Sequence, residues 1–561
     1  MEKREQTNYR FYLLDSLQKV LPNREPVQLL EGEKHFYALR GEVLSFQLAY
    51  TMEYDGCEIP MQEVEFTITS GLLECLQVQK EELVPSGLPA YHGQLDERYL
   101  YRDACLCPDL LVPLEENVIR PIPYQWRALW FTVDLRGQEK AGDFPVGIIL
   151  KKDGKVLWED TLHIHIQKES LAEQTLIHTE WFHADCLANY YQIPVFSELH
   201  WKAVANFMEC AASHGINMLL TPIFTPPLDT KEGGERTTVQ LVGVAKEGAA
   251  YTFDFHLLER WIDLCVEKGI KYIEISHLFT QWGAKYAPKV IVSENGVQKR
   301  MFGWDTPAVG GEYQRFLEQF LPALKAFLRE KGVFEHTYFH ISDEPHREEK
   351  ETYAAAKNSV RELLSDCKVI DALSSYELYE EGIVERPVVC NDEIQTFIDA
   401  GVENLWTYYC CVQGKGVSNR FLAIPPERIR ILGVQLYLYQ IEGFLHWGFN
   451  FYNSQYSLRP VNPYLITDAD GGFPSGDPFV VYPAADHTAY TSVRLEIFAE
   501  ALQDLRALQR LEEKTDRAFV TALIYEGVEG TINFMDYPGD AAYIRSLREK
   551  IYRELERRSG E

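Results

Sequence analysis

The 561-residue sequence lacks the apolar segments that membrane insertion requires. No run of about 18 uninterrupted apolar residues occurs, which excludes a transmembrane helix. No apolar stretch of signal-peptide length follows Met1-Glu2-Lys3-Arg4. The 11 cysteines are scattered without zinc-type pairing, and Cys105-Leu-Cys107 and Cys410-Cys411 are too closely spaced for a metal knuckle. These absences predict a reduced, cytoplasmic protein.

Basic residues are also scarce relative to acidic ones. Lys and Arg number 55 against 84 Asp and Glu, so the formal net charge is −29 and the sequence pI is about 5.0. Such a charge repels phosphate backbones and anionic lipid, which makes nucleic acid and membranes poor candidate partners. Aromatic residues are plentiful at 13%, with 32 Tyr and 10 Trp, and they supply the flat, half-polar surfaces on which sugar rings stack.

The first 170 residues alternate apolar and polar side chains with the period of two that is typical of β-strands. Val43–Tyr50, Val64–Thr69 and Ala128–Leu135 are examples. Asp153-Gly154 separates two further strands and supplies the positive φ angles of a tight hairpin turn. We therefore predict an N-terminal β-sandwich domain over residues 1–170.

After residue 170 the pattern changes to short apolar strands that alternate with amphipathic helices. The predicted strands are Leu176–His183, Ile216–Thr221, Ile270–His277, Thr337–Asp343, Lys368–Ser374, Pro387–Asn391, Asn404–Cys411 and Gly443–Asn450. The predicted helices are Glu198–His214, His256–Lys268, Glu312–Lys331, Glu348–Leu364, Pro426–Gln440 and Ser492–Arg510. Eight strand–helix units predict an α/β fold with a (β/α)8 TIM-type barrel over residues 171–515.

The main alternative to the barrel is a doubly wound open sheet, but no Gly-rich phosphate turn follows any predicted strand. Two inserts, at about residues 228–254 and 284–306, contain hairpin turns such as Asn295-Gly296 and are expected beside the mouth of the barrel. Residues 516–561 form a short C-terminal extension, in which Asp540–Arg557 is predicted to be helical.

The fourth predicted strand carries the sharpest chemical motif, Thr337–His346, with the adjacent carboxylates Asp343 and Glu344 followed by Pro345. Catalytic groups of such barrels lie at the carboxyl ends of the strands. Pro345 disfavours an α conformation for Glu344 and is expected to keep it extended towards the barrel mouth. Burial or the neighbouring charge raises one pKa of such a pair, which gives the acid and the base that glycoside cleavage requires. The alternative is that Ser342 or Asp343 only caps the next helix.

Aromatic and polar side chains recur near the ends of other predicted strands, where aromatic rings stack on sugars and polar groups bind hydroxyls. Core packing is the alternative explanation for each of them. The candidate substrate-binding residues are Trp181, His183, Asp185, His277, His340, Tyr408, Tyr409, Trp447 and Asn450.

Five histidines, including His178 and His446, fall on predicted strands, but none has the spacing to a second histidine that a metal site requires. No metal and no other cofactor are therefore predicted. A Gly-x-Ser-x-Gly nucleophile elbow is also absent, which argues against serine chemistry.

Several of these segments together resemble a known family. Ile341-Ser-Asp343-Glu344-Pro345 and the later Gly443-Phe-Leu-His-Trp447-Gly are similar to motifs of domain-of-unknown-function family 4091, which is related to glycoside hydrolase family 123. Gly472–Pro483 and Ser492–Glu496 resemble the closing stretch of that family. The resemblance covers roughly residues 175–515, and a β-sandwich ahead of the barrel fits the same family.

The resemblance implies an exo-acting, retaining β-N-acetylgalactosaminidase that uses its substrate as the nucleophile. The acetamido oxygen of such a substrate attacks the anomeric carbon and gives an oxazolinium ion. Asp343 is then the residue that stabilises the acetamido group, and Glu344 is the general acid/base. Tyr408 or Tyr409 helps to hold the acetamido group, and Trp447 is the floor under the sugar.

Two other functions remain open at this point. One keeps Glu344 as the acid/base but uses an enzyme carboxylate as nucleophile on a sugar without the acetamido group, although Glu442 lies too early on strand eight to serve. The other is a non-catalytic glycan-binding protein built on a decayed barrel. The expected partner in each case is a small oligosaccharide or glycoside.

Overall fold

The computed structural model describes residues 7–54, 62–138 and 140–559. The part of the chain before residue 171 contains two five-stranded sheets. One sheet comprises Thr7–Asp15, Val43–Tyr54, Leu76–Ser86, Cys105–Pro113 and Arg127–Asp134, and the other His35–Arg40, Val64–Ser70, Val118–Ile119, Gly142–Lys152 and Lys155–Ser170. None of the helices in the described ranges is long and apolar enough to cross a membrane.

The two sheets share one apolar core, as the alternating pattern predicts. Phe46 stacks on Phe131 in the first sheet at 4.6 Å between ring centroids, and Ile148 and Ile164 of the second sheet belong to the same core. The predicted turn at Asp153-Gly154 is confirmed, since the two residues have φ angles of 49° and 74°.

Nine parallel strands form the second sheet system, and they make a nearly closed barrel of the TIM type. They are Ile177–Glu180, Met218–Thr221, Tyr272–Ile275, Thr337–Phe339, Lys368–Val369, Asp371–Leu373, Pro387–Cys390, Trp406–Tyr408 and Gly443–His446. A strand lies in each of the eight predicted positions. The first strand pairs with both the second and the last, which closes that side of the barrel.

The ninth strand arises because the predicted fifth strand is split in two. Lys368–Val369 pairs with the fourth strand, whereas Asp371–Leu373 pairs with Pro387–Cys390 on the other side. Between the halves, the Ile370 amide still donates to the Phe339 carbonyl at 2.9 Å. The sheet therefore bends around the barrel at this point and does not run as one continuous strand.

The described helices lie around the barrel, except the last, which packs on the N-terminal strands His35–Arg40 and Lys155–Ser170. They are Ala184–Tyr191, Glu198–Ser213, His256–Lys268, Gly311–Glu330, Lys350–Val360, Tyr376–Glu380, Ile394–Asp399, Pro426–Arg430, Leu432–Leu438, Val493–Lys514, Arg517–Tyr525 and Ala541–Ser559. The predicted helix Pro426–Gln440 is interrupted at Ile431, and the predicted C-terminal helix is present as Ala541–Ser559. Short 3-10 turns cover Glu31–Lys34, Leu73–Cys75, Phe334–His336, Arg347–Glu349 and Gln455–Ser457.

The two predicted inserts combine into one small sheet. Its strands are Gly243–Glu247, Ala250–Asp254, Val290–Glu294 and Val297–Phe302, and a separate two-stranded hairpin pairs Tyr482–Pro483 with Ala489–Tyr490. The turn at Asn295-Gly296 has φ angles of 54° and 77°, as the sequence predicts.

A buried ion pair joins the N-terminal sheets to the barrel. The Arg494 guanidinium, at the start of the long helix Val493–Lys514, donates to both carboxylate oxygens of Asp109 at 2.9 Å. It also donates to the carbonyl oxygens of Gly476 and Phe479, and the Tyr482 hydroxyl donates to Asp109. Both partners are fully buried, so each charge depends on the other.

We predict that Arg494→Met destabilises the protein strongly because it leaves the Asp109 carboxylate buried without a cation. The expected loss is about 3–5 kcal/mol, measured as a shift of the urea-unfolding curve followed by circular dichroism. Arg459→Met is the matched control, since Arg459 pairs with Asp470 on the surface and should lose less than about 1 kcal/mol. Equal losses in the two variants would contradict the assignment of this ion pair as a structural link.

Candidate active site

A cavity of about 240 Å³ lies at the mouth of the barrel, where the loops that follow the strands meet. Its walls come from six of the barrel loops and from the loop that joins two strands of the N-terminal sheets. The lining residues are Tyr91, Trp181, His183, Leu228, Asp229, Gln281, Trp282, Asp343, Glu344, Ala372, Tyr408, Cys410, Cys411, Leu445, Trp447, Phe451, Gln455 and Phe473.

The two adjacent carboxylates both face this cavity. Burial and the neighbouring Glu344 raise the pKa of Asp343 well above its usual range. The Tyr408 hydroxyl donates a hydrogen bond to Glu344 Oε1 at 2.5 Å, which orients the second carboxyl group. The pair thus combines one carboxyl group, that of Asp343, which is difficult to ionise, with a second, that of Glu344, which is oriented by a tyrosine hydroxyl.

The backbone at Glu344 differs from the extended conformation that the sequence predicts. Its φ angle is 39°, in the left-handed region, which costs a non-glycine residue about 1–3 kcal/mol. Pro345 favours an extended conformation of the preceding residue, but the folded chain holds Glu344 in the left-handed region. Strained backbone of this kind is concentrated at functional sites.

The helix-cap alternative for this motif is wrong. The following helix starts only at Lys350, after a 3-10 turn at Arg347–Glu349. Ser342 instead donates its hydroxyl to the Thr280 carbonyl at 2.8 Å. Neither Ser342 nor Asp343 is near enough in the chain to cap that helix.

Three tryptophans line the cavity, and two of them are each anchored by a carboxylate. The Trp181 indole donates to Glu274 at 2.9 Å, and the Trp447 indole donates to Asp477 at 3.0 Å. Trp447 also packs edge-on against Phe473 at 4.9 Å between centroids. These two indoles are therefore fixed in orientation, as a platform for a flat ligand requires.

His183 lines the cavity but its nitrogens are already engaged. Nδ1 faces the Arg236 guanidinium at 3.1 Å, and Nε2 lies 2.9 Å from the Trp447 carbonyl. Burial and the Arg236 charge lower the pKa of His183 to about 3, so the ring is neutral. Nε2 therefore donates to the backbone carbonyl of Trp447, and this hydrogen bond helps to position the residue that carries the indole.

Of the nine candidate substrate-binding residues, Trp181, His183, Tyr408 and Trp447 line the cavity. Asp185, Tyr409 and Asn450 do not line it. Asp185 forms a buried bidentate ion pair with Arg236. Asn450 Oδ1 accepts from the His183 amide at 2.8 Å, and the Tyr409 ring is fully buried 5.4 Å from the His446 ring. Their contacts are those of structural residues.

His277 and His340 also lie below the cavity and not in it. Their rings stack at 4.3 Å, and His340 is hydrogen-bonded to Glu274 at 2.6 Å and to Asp371 at 3.2 Å. Burial disfavours charge on His340, but the bonds to Asp371 and Glu274 outweigh it and raise its pKa to about 10. His340 is thus a buried cation that compensates two carboxylates and borders Trp181, at 6.4 Å between ring centroids.

The same group brings three possible metal ligands together, which the sequence spacing does not predict. Ligand atoms of His277, His340 and Asp371 lie within 4.8 Å of one another. Both ring nitrogens of His340, however, already face carboxylates, and a metal would have to displace its proton. The contacts are accounted for by a charge network without a metal.

Sequence reasoning missed a third carboxylate in the cavity, Asp229, which lies in the long loop after the second strand. Its backbone amide donates to Gln281, and its Oδ2 accepts from the Tyr456 amide at 2.9 Å. Burial raises the pKa of Asp229 to about 7. The only sequence signal was its position in an insert expected at the mouth.

Comparison with known proteins identifies the relatives of this chain. The family model "Glycoside hydrolase 123, catalytic domain" matches residues 181–511. The solved structure of a family 123 glycoside hydrolase from Clostridium perfringens, described in terms of glycolipid glycan hydrolysis, is 15% identical. It aligns with a TM-score of 0.71 over 98% of this chain and 97% of that one. Curated proteins give no significant match.

Two other solved structures align only weakly. A putative β-galactosidase from Bacteroides fragilis is 10% identical, with a TM-score of 0.30 over 83% of this chain and 59% of that one. A Bacteroides ovatus xyloglucanase is 8% identical, with a TM-score of 0.26 over 85% and 99%. Both scores are too low to support any argument.

The family-model match and the strong structural match to the Clostridium perfringens enzyme, together with the barrel and its cavity, define a glycosidase. Because the family model covers more than half of the chain, the protein belongs to glycoside hydrolase family 123. That part of the sequence resemblance is confirmed, whereas its link to family 4091 stays a prediction.

We predict that Asp229→Asn changes how stability depends on pH. The carboxyl group has a pKa of about 7 in the folded protein against an ordinary value of 3.8, so the folded state binds the proton more tightly. Stability due to this proton is therefore lost as the pH rises through about 7. The thermal midpoint of Asp229→Asn, relative to wild type, should rise between about pH 5 and about pH 8.

Asp366→Asn provides the control with the opposite sign. A hydrogen bond from Lys325 lowers the pKa of Asp366 to about 2, so its contribution is lost only at acid pH. This variant should lie below wild type by a constant amount over the same pH range. A constant difference for Asp229→Asn as well would contradict the prediction.

Proposed function

We propose that the protein is an exo-acting, retaining β-N-acetylhexosaminidase that favours the galacto epimer and uses the acetamido group of its substrate as nucleophile. The observation that carries the proposal is that Asp343 and Glu344, adjacent in sequence, line the same cavity as Trp181 and Trp447. Membership of family 123 supports glycosidic chemistry at this site.

Glu344 is the proposed general acid and base. It protonates the departing glycosidic oxygen while the acetamido oxygen attacks the anomeric carbon, which gives an oxazolinium ion. It then removes a proton from the water that attacks the same carbon, so the product keeps its configuration. The hydrogen bond from Tyr408 holds the Glu344 carboxyl towards the reacting oxygen.

Asp343 is the proposed partner of the acetamido group. A carboxylate beside the acetamido nitrogen attracts the positive charge that develops on the oxazolinium ring, and a half-buried site strengthens that attraction. The raised pKa of Asp343 reflects the cost of ionising it without such a partner.

The spacing of the two groups supports substrate assistance over inversion. Inverting enzymes separate their two carboxyl groups by about 6.5–9.5 Å to admit a water molecule between them. Neighbouring residues in one turn suit a different geometry, with one group on the acetamido nitrogen and the other on the leaving oxygen.

Asp229 favours one alternative, because it supplies the additional carboxylate that the sequence had not identified. In that mechanism Asp229 attacks the anomeric carbon of a sugar without an acetamido group, and Glu344 remains the acid/base. A nucleophile must be ionised, however, and burial raises the pKa of Asp229 to about 7. Substrate assistance does not require Asp229 to be ionised, and the positive charge of the oxazolinium ring offsets the cost of ionising Asp343.

We predict that Glu344→Gln and Asp343→Asn each lower kcat for an aryl β-N-acetylgalactosaminide by about 10²–10⁴-fold, because each removes one of the two proposed functional carboxyl groups. A thiazoline that mimics the oxazoline should inhibit the wild-type enzyme competitively. Steady-state kinetics on the aryl glycoside measures both effects.

Glu348→Gln is the control for this pair, since Glu348 is an exposed carboxylate on the same segment. It should keep the wild-type rate. Wild-type rates in both active-site variants would refute the proposal, and covalent labelling of Asp229 by a 2-fluoro glycoside would establish the alternative mechanism.

We predict that Tyr408→Phe and Tyr409→Phe differ sharply, which decides between the two tyrosines that the sequence left open. Tyr408→Phe removes the hydrogen bond to Glu344 and should lower kcat by roughly tenfold. The Tyr409 hydroxyl has no hydrogen-bond partner among the described residues, so Tyr409→Phe should change kcat less than about twofold. A larger loss of kcat in Tyr409→Phe than in Tyr408→Phe would show that Tyr409, and not Tyr408, faces the substrate.

A further inference from the structure

Two exposed aromatic side chains stand together at the rim of the cavity. Trp282 is 37% exposed and Tyr456 is 40% exposed. Their ring centroids are 6.1 Å apart and their planes meet at 81°, so the two rings form a corner. Trp282 itself lines the cavity beside the carboxyl pair, and Gln455, next to Tyr456 in the chain, lines it too.

Both aromatic residues have strained backbones. The φ angles are 58° at Trp282 and 60° at Tyr456, in the left-handed region that bulky residues rarely adopt. Hydrogen bonds to the site hold them there, since the Trp282 amide donates to the Asp343 carbonyl at 3.2 Å and the Tyr456 amide donates to Asp229 Oδ2 at 2.9 Å. The aromatic rim is therefore built onto the same loops as the carboxylates.

The direction in which the leaving group departs follows from Glu344. The departing oxygen must lie within hydrogen-bonding reach of this carboxyl group. Trp282 lines the same cavity and is 37% exposed, and its amide donates to the carbonyl of Asp343, the residue before Glu344, whereas Trp181 is only 4% exposed. A group that is attached to the departing oxygen and extends to solvent therefore has this exposed aromatic residue within reach.

We propose that Trp282 and Tyr456 form a binding subsite for the second sugar of the substrate, the pyranose ring that carries the departing oxygen. The apolar face of that ring packs on the Trp282 indole, and the Tyr456 ring bounds the subsite on its second side. This inference rests on the proposed function, because it assigns the position of the leaving group from the role of Glu344.

Charge around the subsite selects the kind of sugar. Asp229, Asp343 and Glu344 all line the adjoining cavity, and no described cation is among the lining residues. A sialic or uronic acid would bring its own carboxylate to a site whose lining offers no Lys or Arg to compensate it, whereas a neutral hexose needs no such partner and can hydrogen-bond to the carboxyl groups. The subsite is therefore one for a neutral pyranose.

The experiment compares two substrates that share the released sugar. One is a β-N-acetylgalactosaminyl-galactose disaccharide, and the other is the corresponding glycosyl fluoride, whose leaving group has no ring. In Trp282→Ala, the ratio of kcat/KM for the disaccharide to that for the fluoride should fall by roughly tenfold or more, the size of a lost stacking contact. Trp282→Phe should restore most of the ratio because it keeps an aromatic face.

Tyr124→Ala is the matched control. Tyr124 is a 68% exposed aromatic residue with a φ angle of 60° in the N-terminal part of the chain, away from the cavity, so this variant should keep the wild-type ratio. Equal loss of kcat/KM on both substrates in Trp282→Ala would overturn the subsite, since it would show that Trp282 only positions Asp343. An unchanged ratio would overturn it as well.

Binding to the Glu344→Gln variant separates this inference from the proposed function. By calorimetry, the disaccharide should bind more tightly than free N-acetylgalactosamine, and adding Trp282→Ala should abolish that difference. If the wild type cleaves neither substrate, the proposed function fails, while the binding difference still supports the subsite. If the disaccharide binds no more tightly than the monosaccharide, the subsite is refuted even in an active enzyme.

Discussion

The position of the active-site loop depends on the buried carboxylate of Asp371. It accepts the Ile341 amide at 3.0 Å and faces the His340 imidazolium, whose other nitrogen lies 2.6 Å from Glu274. Glu274 in turn accepts the Trp181 indole. These contacts form one network in which the buried charges compensate each other. The network fixes the chain just before Asp343 and Glu344, and it also fixes the Trp181 indole beneath them. Removing the cation would leave two buried carboxylates facing each other, which a protein interior tolerates poorly.

The same network explains where sequence reasoning about the fold succeeded and where it failed. The hairpin turns and the eight barrel strand positions could be predicted because glycine chemistry and hydrophobic period are local properties. The ends of the strands could not be predicted in this way. The fourth strand stops at Phe339 and not at Asp343, and beyond its end the Ile341 amide donates to the Asp371 side chain instead of to a neighbouring strand. A residue from the split fifth strand thus sets the end of the fourth, which no local pattern reveals.

The candidate site was predictable where side chains lie directly at strand ends and unpredictable in the long loops. Tyr408 faces the cavity and Tyr409 faces away because successive side chains of a strand alternate, and only the register of the folded sheet decides which one is inside. Asp229, Trp282 and Tyr456 come from loops whose course is set by tertiary contacts, so their convergence has no signature in the order of residues.

The N-terminal sheets take part in the site and are not merely attached to the barrel. Tyr91, from the loop between two of their strands, lines the cavity and donates its hydroxyl to the Gly472 carbonyl at 2.7 Å. The neighbouring Leu88 carbonyl accepts the Ser475 amide, and Ser475 Oγ faces the Leu88 amide at 3.1 Å. These bonds clamp the closing stretch that also presents Phe473 to the cavity. A barrel expressed without residues 1–170 would lose one wall of its own cavity, so the two proposed domains form one functional unit.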